Sequence, residues 1–145
     1  MVTDGAMRRS RERHLRVAAV LLLIQGVLME LAVFVGLLIL LVLQVPEAAV
    51  TARVEIFAFD ELNDHLYLMM AMSGVFGALR IIGAVGVLRN RLWAFALSLI
   101  MCATTLILMI FMLPAGLLDG VLTGTAIVLL LRAWIGPARP LLTGP

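Results

Sequence analysis

Glu30 is the residue of this chain best placed to do chemistry, because it stands alone. It is the one formal charge between Val17 and Leu43, a run that is otherwise apolar except for Gln25. A carboxylate in the middle of a bilayer is penalised by several kcal/mol on most scales. A second charge, Arg80, interrupts another apolar run, Leu66–Leu88. Helical rise puts Glu30 about 21 Å beyond Arg16, and Arg80 about 13 Å short of Arg89. Side chains lean toward the N-terminus of their own helix, and two successive spans run in opposite directions. Glu30 and Arg80 therefore lean toward each other, which predicts an ion pair inside the membrane. Such a pair has two uses. It can fix the register of two spans while shielding both charges from lipid, although desolvation offsets much of the attraction. Or it can face an aqueous cavity and handle a substrate or a proton.

Other polar groups suggest less. Asp60, Glu61, Asp64 and His65 crowd together just before the second apolar run. On a helix, Asp60–Asp64 and Glu61–His65 are i, i+4 neighbours and could hold a divalent cation. Acids in a first helical turn are also an ordinary start signal. Asp119 opens the last apolar run and reads as a partner of that helix's dipole. Ser98, Thr104 and Thr105 read as bonded back to their own helix. Cys102 is the single cysteine, which excludes an internal disulfide and a multi-thiolate metal site and leaves a packing role. His14 and His65 fall on opposite sides of the first run, so a two-histidine haem site is excluded. No Ser–His–Asp set shares one depth. No residue pattern calls for a cofactor.

The elements that must position these groups are read from hydropathy. Hydrophobic residues make up 63% of the 145, well above the share of an ordinary soluble domain. They fall into four runs of spanning length, about 17–43, 66–88, 92–113 and 116–134, which predicts an all-α, up-down, transmembrane four-helix bundle. Residues 1–16 are expected to form a polar cytoplasmic tail, and 135–145 a second one. The first run is too long for the apolar core of a cleaved signal and reads as an anchor that stays. The connection 44–65 is the one long loop. Pro46 and Glu47 suit a helix start, and Val50, Val54 and Phe57 share one helical face, so a short helix on the outer surface is predicted. Residues 53–59 would also suit an extended strand.

Arginine placement sets the orientation. All basic residues are arginine. Five precede the first run, Arg89 and Arg91 lie between the second and third, and Arg132 and Arg139 flank the end. The opposite side has Arg53 against five acids. Both termini are therefore expected in the cytoplasm of a cell whose inner (plasma) membrane holds the protein. Basic residues directly beside a span, without interleaved aromatics, argue against nucleic-acid binding.

Small residues mark the faces that pack. Ser73, Gly77, Gly83 and Ala84 share the helical face of Arg80, and Gly26 precedes Glu30 by one turn. Gly116, Gly120 and Gly124 recur every four residues in the last span, a G-x-x-x-G stripe suited to close helix contact. That contact could be with a neighbouring span, a second copy or another membrane protein.

Glu30, within Gln25-Gly26-Val27-Leu28-Met29-Glu30, resembles in outline the small multidrug resistance transporters, four-span proteins with a lone glutamate midway along the first span. The resemblance implies coupled proton and cation binding at Glu30. The long outer connection, the single strong orientation and Arg80 depart from that pattern. The stretch 74–132 also resembles small uncharacterised four-span proteins of bacterial inner membranes. From these features the sequence favours a non-enzymatic membrane protein working in the bilayer through assembly or partner contacts. The alternative is a small proton-linked transporter using Glu30, with Arg80 as counter-ion. An intramembrane enzyme acting on a lipid ranks third.

Overall fold

The computed structural model describes residues 2–53, 60–111, 113 and 116–135. It is all-helical there. The first apolar run forms one continuous rod: α1 (Val2–Ile24), a π-helical segment (Gln25–Leu31) and α2 (Ala32–Val42). After it come two short helices, α3 (Glu47–Thr51) and α4 (Asp60–Asp64), then three long ones, α5 (Leu66–Leu88), α6 (Leu92–Leu108) and α7 (Leu117–Ile135). Three helices are long and apolar enough to cross a membrane: Arg9–Val42, α5 and α7. α6 is apolar but shorter. This is the pattern of a membrane protein.

Helix ends have local causes. α2 and α5 both stop on a residue in the left-handed region, Gln44 (φ 54°) and Asn90 (φ 56°). Behind each, Val45 N–H bonds Leu40 O and Arg91 N–H bonds Gly86 O, closing two Schellman turns. The start of α5 borrows a cap from elsewhere. Its Tyr67 N–H donates to Glu47 Oε1 at 2.7 Å, and the Tyr67 hydroxyl donates to Val45 O at 2.8 Å. Glu47 thus serves two helices, satisfying an orphan donor of α5 while opening α3. Val54 and Phe57, predicted to extend α3, lie outside the described residues.

Residues 9–16, expected as a tail, instead continue α1. Arg11 and Leu15 are buried. Arg11 Nε donates at 2.7 Å to Ala133 O, a carbonyl in the last turn of α7, where a cation suits the helix dipole. The third run also ends early as a helix, at Leu108, and residues 109–111 form a turn.

The helices stack in three tiers. α1 packs against α5 and α7, and α6 closes the ring by packing against the same two. Inside this ring lies an apolar core built largely from small residues: Ala18, Ala19 and Leu22 of α1, Ala84 and Val87 of α5, Ala94 and Cys102 of α6, and Ala126 and Leu130 of α7. Above it is a polar tier. Higher still the four rods become two, because among the described residues α2 packs on α5 and contacts neither α6 nor α7. Helical rise gives the same picture. Arg80 stands about 21 Å from the Leu66 end of α5, whereas Asp119 stands about 3 Å from the Leu117 end of α7. The α6–α7 hairpin is a shoulder beside the taller α2–α5 pair.

Candidate functional site

The polar tier draws a side chain from each of the four rods. Arg80 of α5 is at its centre, with its side chain 1% exposed. Its Nη2 is 2.7 Å from Glu30 Oε1 of the π segment and donates to Thr105 Oγ1 of α6 at 2.6 Å. Its Nη1 lies 3.7 Å from Asp119 Oδ1 of α7. One guanidinium therefore sits between two carboxylates. With all three ionised, the group carries one negative charge in excess.

Gln25 ties the first rod to the last. Its Nε2 donates to Thr123 Oγ1 at 2.6 Å and to Asp119 O at 3.1 Å, and it also contacts Asp119 Oδ1. Gln25 and Thr123 are fully buried. The π segment makes this possible. On an α-helix, residues five apart point in different directions. In a π-helix the bond runs from i to i+5, as from Ala32 N–H to Val27 O, and residues five apart fall about one turn from each other. Gln25 and Glu30 thereby join one polar tier.

Two glycines let the π segment reach α5. A Cβ on Gly77 would lie 3.1 Å from both the Glu30 Cβ and Gly26 O, and one on Gly26 would lie 3.0 Å from Ile81 Cγ1. Such backbone approach is what small residues permit between membrane helices. Ser73 Oγ donates to Met70 O at 2.6 Å and stands 3.1 Å from Glu30 O, a carbonyl within the π segment. Among the described residues, several buried polar atoms of the tier have no hydrogen-bond partner, among them Glu30 Oε2, Gln25 Oε1, and Nε and Nη1 of Arg80. Nη1 is nonetheless within ion-pair range of Asp119.

The structure brings Glu30 and Arg80 together and adds Asp119, Thr105, Gln25 and Thr123, which sequence reasoning had left apart. Asp119 is the dipole partner of its helix by position, but its carboxylate also turns to Arg80. Thr105, expected to bond its own helix, also accepts from Arg80. Gly83 faces Ser98 of α6 rather than the first rod. The α7 stripe divides: Gly116 is buried, a Cβ on Gly120 would strike Met109, and one on Gly124 would meet nothing within 4 Å. Asp60, Glu61, Asp64 and His65 lie at α4 and the start of α5. Among the described residues, no three His, Cys, Asp or Glu side chains gather as metal ligands, and the Asp60 side chain is outside that set.

No protein-family model matches the chain, and no curated protein and no solved structure matches it. The polar tier is thus the basis for a functional reading.

Proposed function

We propose that this chain is a small proton-linked carrier of the inner membrane, with four spans, both termini cytoplasmic, and Glu30 as its proton-binding group. One observation carries the reading: Arg80 lies between two carboxylates, not one. An ion pair that only fixes helix register needs a single carboxylate. A second one leaves a negative charge that a proton neutralises inside a medium hostile to net charge. The arginine-rich turns at one end of the bundle support the orientation.

The test is transport in proteoliposomes under an imposed pH gradient. Wild-type protein is expected to couple proton movement to flux of a second solute, and Glu30→Gln to abolish the coupling. A flux that is proton-coupled and untouched by Glu30→Gln would rule the proposal out.

Assembly through α7 has one observation in its favour. Gly124 is the member of the glycine stripe on which a Cβ would meet nothing within 4 Å among the described residues. Native mass spectrometry in detergent tests it. A second copy held through α7 gives a dimer that Gly124→Leu weakens.

A further inference from the structure

We infer that Asp119 is the port through which protons reach Glu30, and that they arrive from the α3–α4 end of the bundle. The inference rests on the proton-linked reading and adds to it a route and a side.

Three observations carry it. First, exposure rises stepwise through the polar tier. The side chain of Arg80 is 1% exposed, that of Glu30 11% and that of Asp119 23%. Asp119 is the charged member that the protein encloses least. Second, the shoulder formed by the α6–α7 hairpin puts Asp119 at the rim. It lies in the first turn of α7, and α2 does not pack on α7 above it among the described residues. The other end of the ring is filled by the apolar core, beyond which Arg11 bonds Ala133 O. Third, Asp119 is held in place by the first rod. Gln25 grips both its main-chain oxygen and its carboxylate, so the carboxylate stays beside Arg80.

Asp119 is bonded by Gln25 of the π segment and lies beside Arg80 of α5; Arg80 in turn holds Glu30 of the π segment and Thr105 of α6, and Gln25 holds Thr123 of α7. Cys102 lies one turn from Thr105 and is buried. Among these, Arg80 is the cation both carboxylates share. Relay then proceeds without changing the total charge. The O–H bond of a protonated Asp119 carboxyl breaks, water carries the proton inward, and an O–H bond forms on Glu30. Arg80 keeps its protons throughout and exchanges Glu30 for the newly charged Asp119 as its ion-pair partner. Nη1 is already 3.7 Å from Asp119 Oδ1, so this exchange needs only a small rotation of the guanidinium.

The experiment is stopped-flow proton uptake by the reconstituted protein after an acid jump, followed with a pH indicator. Wild type takes up a proton that Glu30→Gln removes. Asp119→Asn is expected to keep that proton at equilibrium but slow its arrival about a hundredfold, the usual contribution of a positioned proton-transfer group. Asp119→Glu should recover most of the rate. An unchanged rate in Asp119→Asn overturns the port and leaves the carrier reading standing. Uptake that survives Glu30→Gln overturns the carrier reading itself. Labelling of wild-type protein needs no variant. A water-soluble, membrane-impermeant carbodiimide added from the α3–α4 side should modify Asp119 well before Glu30. Equal modification of the two, or modification from the opposite side alone, also overturns the port.

Discussion

Gln25 and Glu30 are five residues apart, and both are buried in one polar tier because the backbone between them is π-helical. One of them meets α7 and the other meets α5. Five residues of α-helix would not place both there. The π segment is therefore what turns a two-helix ion pair into a four-helix polar centre. Segments of this kind are rare and are found often at functional sites. Here the segment is sustained by close approach at Gly26 and Gly77.

The balance of charge at Arg80 gives the first prediction. Arg80→Met removes the cation that both carboxylates share and leaves two negative charges in the bundle. Breaking a buried pair from one side destabilises by about 3–5 kcal/mol. The loss should be largest at neutral pH and shrink as pH falls, since protonating either carboxylate relieves the repulsion. Equilibrium unfolding in mixed micelles at several pH values measures it. A loss that does not vary with pH would mean the carboxylates are not the source.

Much of this architecture is legible in the chain, and what is not has identifiable causes. The bounds of α5 coincide with its apolar run because charged residues stand at both ends, Asp64 before it and Arg89 after it. Glu30 and Arg80 are visible because nothing apolar explains a charge. Asp119 and Thr105 are hidden for the opposite reason: each has an ordinary local explanation, a helix dipole or a back-bonded hydroxyl. Gln25 is hidden because helical periodicity assumes i to i+4 bonding, and the π segment breaks that assumption. α6 stops at Leu108 while apolarity continues to Leu113, and hydropathy does not register where a helix ends inside an apolar run. The buried part of α1 around Arg11 looks like a tail in the sequence. Its partner is a main-chain carbonyl of α7, which has no signature in the residue types.

Glu47 yields a prediction about local order. Its carboxylate caps Tyr67 N–H from twenty residues away in sequence. Glu47→Ala removes a charged acceptor from the start of α5 and should destabilise by about 1 kcal/mol, as losing a cap usually does. The effect should be confined to one end. Hydrogen exchange at Tyr67 is expected to speed up while amides near Arg89 stay protected.

Gln44 supplies a stabilising change. It holds φ at 54° without the freedom of glycine, in a turn whose two Schellman bonds fix the backbone. Gln44→Gly relieves the clash between its Cβ and the backbone, a gain of about 1 kcal/mol. Gln44→Ala keeps the Cβ and should gain nothing. A rise in melting temperature in the glycine variant alone is the expected outcome.

Gly77 and Gly124 make a matched pair, since both are glycines in apolar helices and only one is pressed by a neighbour. A methyl group on Gly77 would meet the Glu30 Cβ and Gly26 O at 3.1 Å and Leu31 N at 3.2 Å. Much of that contact is backbone, which cannot swing aside. Gly77→Ala should push the π segment away from α5, lengthen the Glu30–Arg80 contact and destabilise by about 1–3 kcal/mol, as overpacking does. Gly124→Ala adds the same methyl group to open space and removes a glycine from a helix interior. In a protein that acts as a monomer it should be neutral or stabilise by up to about 1 kcal/mol. The sign at Gly124 is therefore informative beyond stability. If Gly124→Ala destabilises, and does so more at higher protein concentration in the micelle, a second chain covers that face and α7 is an assembly surface.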